Sequence, residues 1–223
     1  VGGTGETNNT APDLNFTSTI APYADLVVDS LGFTPSSGLQ SGGSLTVSWR
    51  DLNSGNKATG SGFNDFILVK NTTTGATLYS GTLYYDPSIA GNGAIAAGDS
   101  RLRSISLTLP DGTPGVGSIQ ATITTDYNNN IFEYNSGGTG ESNNSSTATT
   151  TSTIAPYADL TVASVGFSPS TGLQSGNPLT INWSDVNGGN KAASGAFYDL
   201  VQVRNTTTNA LLYSATIYYD PAA

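Results

Sequence analysis

The sequence has no cysteine, no histidine and no methionine. Those absences remove thiol nucleophiles, disulfides, Cys/His zinc sites and every mechanism that depends on an imidazole base. What remains is oxygen chemistry, from carboxylates, amides, hydroxyls and carbonyls, which is the ligand palette of hard cations. Charge is also scarce. Seven Lys and Arg stand against 16 Asp and Glu, for a net charge of −9. So few basic residues argue against nucleic acid as a partner, and against polybasic attachment to anionic membranes. A divalent cation is compatible with this balance. No apolar run approaches the ~20 residues of a membrane-spanning helix, so no membrane span is expected, and no signal peptide appears. Without disulfides, each folding unit must rest on its core or on a bound ion.

What the chain does have is a long internal repeat. STIAPYADL occurs at 18–26 and again at 152–160. Asp25 recurs as Asp159, Trp49 as Trp183 and Tyr84 as Tyr218, an offset of 134 residues. About 45 of the 70 positions in 18–87 recur at that offset, far beyond shared composition. GGTGETNN at 2–9 also recurs, as GGTGESNN at 137–144. The expected organisation is the tail of a preceding repeat at 1–17, a complete repeat at 18–155, and the first part of the next at 156–223. The second copy has no counterpart of RLRSISLTL (101–109) or SIQATITT (118–125). A sandwich without those strands would leave its core open and its edges unpaired. The chain is therefore expected to be a fragment of a longer protein or polymer. Prolines at Pro22 and Pro156 stiffen a very short connection, which predicts a rod-like array.

Within the complete repeat, the apolar periodicity is that of strands. In SLTVSWRD (44–51), Leu45, Val47 and Trp49 alternate with polar residues, and Trp49 is expected to plug a core. Residues 23–33 change phase between Leu26/Val28 and Leu31/Phe33, the mark of a bulge or kink. In sandwiches such a kink lets the first strand pass from one sheet to the other. In GFNDFILVK (62–70), Phe63, Ile67 and Val69 share a phase with Asp65. That carboxylate must then meet a hydrogen-bond donor or a cation. The expected donors are loop N–H groups or the tryptophan indole. NTTTGA (71–76) turns into a tyrosine-rich strand with Tyr79, Tyr84 and Tyr85. Further strands follow through Ile105/Leu107/Leu109 and Ile119/Ala121/Ile123, and SSTATTTSTI (145–154) forms a Thr-rich edge. About seven strands, with no helical period anywhere, predict an all-β antiparallel sandwich.

The repeat closes on DYNNNIFEYNSGGTGESNNSS (126–146), in which Asp126, Asn128, Asn129, Ile131, Glu133, Glu141, Asn143 and Asn144 form a D-x-N-N-x-I-x-E…E-x-N-N pattern. With the APYADL opening, this pattern resembles the CARDB family, the cell-adhesion-related domain found in bacteria. The PYADL opening departs slightly from the commoner form, and the Gly-rich insert is longer than in short members. The resemblance covers the whole repeat. It implies tandem immunoglobulin-like β-sandwiches in large secreted or surface-attached bacterial proteins, and no particular ligand.

Asp126, Asn128 and Asn130 alternate as in a calcium loop, with Glu133 and Glu141 nearby as further oxygen donors. The stretch is no EF-hand, because Gly137 stands where a bidentate Glu is needed and Ile131 where a Gly belongs. Two readings stand: a calcium site, or Asp and Asn placed for left-handed turns and side-chain caps. No catalytic residues are assigned and no enzyme is expected. Asp51 and Asp65 are the one carboxylate pair that could serve a hydrolase. The function expected is a structural spacer in an extracellular adhesin or surface filament, with neighbouring repeats or subunits as partners. The alternative is a module that binds glycans or proteins of a cell surface through tyrosine-rich strands and loops.

Overall fold

The computed structural model describes residue 9 and residues 11–221. Of the expected preceding tail, residues 1–8 and 10, with nearly all of the first GGTGETNN copy, lie outside the described residues, as do Ala222 and Ala223. The chain forms two compact units, one up to Ile154 and one from Ala155.

Among its described residues the first unit contains seven strands: β1 (Leu26–Thr34), β2 (Ser44–Asn53), β3 (Phe63–Asn71), β4 (Thr77–Tyr85), β5 (Ser100–Thr108), β6 (Gly117–Thr124) and β7 (Ser145–Ser152). They make two antiparallel sheets, β1-β2-β5 and β4-β3-β6-β7. This is the strand order of an immunoglobulin-like sandwich, in which the chain crosses repeatedly between the sheets. A single 3₁₀ turn, Thr113–Gly115, lies between β5 and β6. The core comes from the inward phase of β2, β3 and β6: Leu45, Val47 and Trp49 face Ile67 and Val69, closed by Ile123. Trp49 is wholly enclosed, as its place at the end of an alternating strand implied. The same alternation carries Asp51, Asn53, Asp65 and Asn71 inward, all with no exposed surface. The polar interior of this unit is thus written into the strand phase.

The phase change in β1 is a bulge. Its register slips between Asp29 and Gly32, with Ser30 in the left-handed region at φ 53°. The strand does not cross to the other sheet, contrary to the expectation. Residues 26–29 pair with β2 at 50–53, and residues 32–34 pair with β2 at 46–48. The extra residue re-aims the side chains instead. Val28 on one side of the bulge, and Leu31 and Phe33 on the other, all pack against the main core.

Both chain ends of this unit are pinned by parallel bridges, Ala24 to Glu133 and Gln40 to Thr153. Tyr134 N–H donates to the Ala24 carbonyl at 3.1 Å, and Thr153 exchanges backbone bonds with Leu39 and Ser41 at 3.0 and 2.9 Å.

The second unit holds two antiparallel strand pairs, β8 (Leu160–Ser168) with β9 (Thr180–Asn187) and β10 (Phe197–Arg204) with β11 (Leu211–Tyr219). They repeat β1–β4 down to the bulge, here between Ala163 and Gly166 with Ser164 at φ 51°.

Candidate functional site

The closing loop after β6 is held by its acidic residues. Asp126, buried and at φ 43°, accepts the Asn130 and Ile131 N–H groups on its two oxygens, both at 2.9 Å. This side-chain cap lets a short polar loop turn sharply and deliver Ile131 into a small core with Leu26, Phe63 and Tyr85. Two residues on, Glu133 enters the interior and ties the loop to the start of β1. Its Oε1 accepts Leu26 N–H at 2.5 Å, and its Oε2 accepts the Asn144 amide at 2.6 Å. Glu141 accepts Glu133 N–H at 2.7 Å. Burial pushes the Glu133 carboxyl up to about 8, against the Leu26 and Asn144 bonds that favour its charged form. Asn144 Oδ1 is buried with no hydrogen-bond partner as placed. Rotating that amide would present Oδ1 to a protonated Glu133, which fits a neutral acid here.

Beside this anchor lies a second polar node. Asp25 accepts Asn143 at 2.9 Å, Ser54 at 2.8 Å and Asn135 at 3.2 Å. Asn53 accepts from Asp25 N–H and Gly55 N–H, both at 3.1 Å, and donates to the Lys57 and Ile95 carbonyls. Gly55 lies so close to the backbone of Tyr23 to Asp25 that any Cβ would overlap it, and Gly189 repeats the approach at Tyr157 to Asp159. Asn187 reproduces the Asn53 pattern with Asp159, Gly189 and Lys191.

A third cluster is enclosed between the sheets. Asp51 accepts the Trp49 indole N–H at 3.0 Å. Arg103 of β5 reaches Asp51 at 3.7 Å and Asp65 at 3.4 Å, donates to the Leu83 carbonyl at 2.9 Å, and lies 5.2 Å from the centre of the Tyr85 ring. The indole thus serves Asp51, and Asp65 is met by the guanidinium, a cation the sequence reading had not supplied. Burial raises the pKa of both acids, and the neighbouring Asp65 adds to the rise at Asp51 while Arg103 opposes it. Two enclosed carboxyls facing one guanidinium are balanced by a single retained proton. Neither acid has exposed surface, so this pair faces no cleft in which a substrate could sit.

The outer surface of the closing loop is aromatic. Tyr23 meets Phe132 edge-on at 5.3 Å and lies 5.8 Å from Tyr134, and Phe132 is 68% exposed. A cleft of about 420 Å³ on one side is lined by Asp25, Asn56, Tyr134 and Asn135, and one of about 250 Å³ on the other by Lys57, Asn130 and Phe132.

Of the five residues considered for calcium, Asp126, Glu133 and Glu141 belong to the closing loop's anchor, and Asn128 and Asn130 are exposed at its tip. Both oxygens of Asp126 and of Glu133 are engaged by protein partners. Among the described residues, no three acidic side chains gather as a metal-ligand set would. Asp25, Asn53 and Arg103 were missed as anchoring residues. The signal for the first two was present, because both recur at the 134-residue offset as Asp159 and Asn187.

By sequence, no protein-family model and no curated protein matches the chain. In structure it is similar to CARDB domains. The crystal structure of the CARDB domain of the PF1109 protein from Pyrococcus furiosus, in complex with di-metal ions, aligns at TM-score 0.42 and 15% identity, over 61% of this chain and 100% of that one. The solution NMR structure of the same domain aligns at TM-score 0.40 and 13% identity, over 60% and 100%.

Two solution measurements follow from this geometry. Glu133 holds its proton in the fold up to about pH 8 but releases it near 4.5 when unfolded, so folding binds a proton between those values. Stability is then full below about pH 4.5, falls as pH rises, and stays low above 8, a loss on the order of a few kcal/mol. Asp51, Asp65 and Asp126, also raised by burial, act in the same direction. Thermal melts from pH 5 to 9 should show a falling midpoint, and Glu133→Gln should flatten the slope; a rising midpoint would contradict the neutral anchor. In the second measurement, excess chelator against millimolar calcium should move the midpoint by no more than about 1 °C, because the Asp126 and Glu133 oxygens are already engaged by protein groups, whereas an ion bound to the native state alone would raise it. A larger rise would place an ion in the closing loop.

Proposed function

We propose that the chain is a non-enzymatic spacer of an extracellular bacterial adhesin or surface filament, connecting to neighbouring repeats or subunits of its own kind. One observation carries this reading: an immunoglobulin-like half-sandwich recurs at a 134-residue offset with its bulge and its Asn53-type node intact. The five buried acids of the first unit, Asp25, Asp51, Asp65, Asp126 and Glu133, are engaged by internal partners, which suits an element under tension more than a reactive one. The pinned ends point the same way. Parallel bridges at Ala24–Glu133 and Gln40–Thr153 hold the two ends of the unit, where pulling on the termini loads them in shear. Bonds loaded in shear share the force, whereas bonds peeled in sequence do not.

Single-molecule pulling of the chain should show one cooperative rupture of the first unit. The release should be roughly 400 Å of contour, at about 3.4 Å per residue. Glu133→Ala should lower the rupture force by removing the bond to Leu26. Stepwise, low-force extension of that unit would count against a spacer.

A second reading is favoured by the exposed Tyr23, Phe132 and Tyr134 rings, whose flanking clefts carry amide and carboxylate groups. Rings with polar neighbours form the kind of surface on which sugars or peptides stack. Under this reading, a glycan array should show binding that Phe132→Ala abolishes without lowering the melting midpoint. Binding that survives this substitution would place the contact elsewhere.

A further inference from the structure

The step Asn-Gly occurs twice, at 92–93 and at 187–188. At such a step the glycine backbone nitrogen can reach the amide carbon of the preceding asparagine, because glycine carries no side chain to obstruct the approach. The two steps are held differently. Gly188 N–H donates to the Asp159 carbonyl at 2.8 Å. The Asn187 amide is tied on both sides: its Oδ1 accepts Asp159 N–H and Gly189 N–H, both at 3.0 Å, and its Nδ2 donates to the Lys191 carbonyl at 2.7 Å. Attacking atom and target are thus both occupied. At the first step, neither Gly93 N–H nor Asn92 Oδ1 has a hydrogen-bond partner among the described residues. Gly91 and Gly93 stand on either side at φ 93° and 67°, and a Cβ added at either would meet no atom within 4 Å.

Asn92 also fastens the loop between β4 and β5. Its N–H donates to the Ile89 carbonyl at 3.0 Å, its Nδ2 to the Asp86 carbonyl at 2.7 Å, and its own carbonyl accepts Arg101 Nε–H at 2.9 Å. The next carbonyl, of Gly93, accepts the Tyr85 hydroxyl at 2.7 Å. Two residues on, Ile95 is wholly buried in the small core with Leu26, Phe63 and Ile131, and its N–H donates to Thr59 Oγ1 at 2.9 Å. The bonds that lead the chain to Ile95 and that core therefore lie on both sides of the 92–93 peptide.

We propose that Asn92–Gly93 is a self-modifying site, at which Asn92 converts to an aspartyl or isoaspartyl residue. The Gly93 nitrogen gives up its proton and bonds to Asn92 Cγ, closing a succinimide ring. The Cγ–Nδ2 bond breaks, and the amide nitrogen leaves as ammonia with that proton. Water then adds at one of the two ring carbonyls and breaks its bond to the ring nitrogen. Opening at Cγ restores the ordinary main chain, with a carboxyl on the side chain. Opening at the main-chain carbonyl routes the backbone through the side-chain methylene. Water is the one co-reactant, and nothing is oxidised or reduced. In both products the Nδ2 donor to Asp86 is gone and a negative charge takes its place. In the second, an added backbone atom also moves the Gly93 carbonyl off the Tyr85 hydroxyl. A one-way change of this kind sets a chemical lifetime on the small core, and it does not depend on the spacer role.

The test incubates the intact chain in warm, mildly alkaline buffer and follows the amide-to-acid mass change at each asparagine by peptide mapping. Asn92 should convert about tenfold faster than Asn187, the factor that one hydrogen bond held against the attacking nitrogen is worth. In denaturant the two rates should converge, since the difference lies in the fold. Converted chain, separated by its added charge, should show a lower melting midpoint and about tenfold faster exchange of the Ile95 amide. Asn92→Gln, whose longer side chain disfavours the ring, should keep its mass and its own midpoint through the same incubation. The proposal is overturned if Asn92 stays intact in the folded chain while the denatured chain converts, if Asn187 keeps pace with it in the fold, or if the converted chain retains full protection at Ile95.

Discussion

Taking a carboxylate out of water costs several kcal/mol unless a donor or a cation meets it. The first unit buries Asp25, Asp51, Asp65, Asp126 and Glu133. Asp126 is met within its own loop, whereas Asp25, Asp65 and Glu133 are met by groups delivered from distant parts of the chain, and much of the distinctive geometry follows from that requirement. Leu26 N–H reaches Glu133 across 107 positions of sequence, and Asn143 reaches Asp25 across 118. Such bonds can exist only when the first and last segments of the repeat are both in place. A hydrogen bond contributes about 0.5–1.5 kcal/mol net, more where the acceptor is charged, and orphaning its buried partner costs about 1–3 kcal/mol. The closing loop and the opening strand therefore stand or fall together.

This arrangement does what a disulfide does in many small sandwiches. It joins the two ends of the fold by specific long-range links, here between oxygen and nitrogen atoms. The links differ in kind from a covalent bridge because they titrate. A neutral Glu133, and an acid pair sharing one proton around Arg103, make the stability of the fold depend on pH in a way an aliphatic core would not. The polar links also leave the outer face of the closing loop free of structural duty. Tyr23, Phe132 and Tyr134 gather there at the surface.

The two units show how much of the fold is local. β8 to β11 reproduce the pairing, the bulge and the Asn187 node of β1 to β4, although among the described residues β9 and β10 each pair on one side alone. Hairpin register and loop caps are decided by neighbouring residues. Enclosure is not: Trp49 is sealed while Trp183 remains partly exposed, and the sequence around the two is nearly the same. The indole even changes acceptor, from Asp51 in the first unit to Asp199 in the second. A guanidinium between the two acids accompanies the first choice, and among the described residues none accompanies the second.

The sequence alone determined the strands, their inward phases, the repeat offset, the phase change at Ser30 and the burial of Trp49. These features follow from side-chain alternation and turn chemistry, which act over a few residues; for Trp49 they set the inward phase, and the second sheet supplies the enclosure. It also showed that Asp65 would face a core and need a partner. Only the tertiary structure decided which partner. Arg103, 38 positions away on the opposite sheet, carries no local mark of its role. The same holds for the closing motif: its Asp and Asn spacing fitted both an ion loop and a capped turn. The choice depends on where each oxygen points once β1, β6 and the loop are packed. That direction is fixed by contacts between segments more than a hundred residues apart, and no short window of sequence records it.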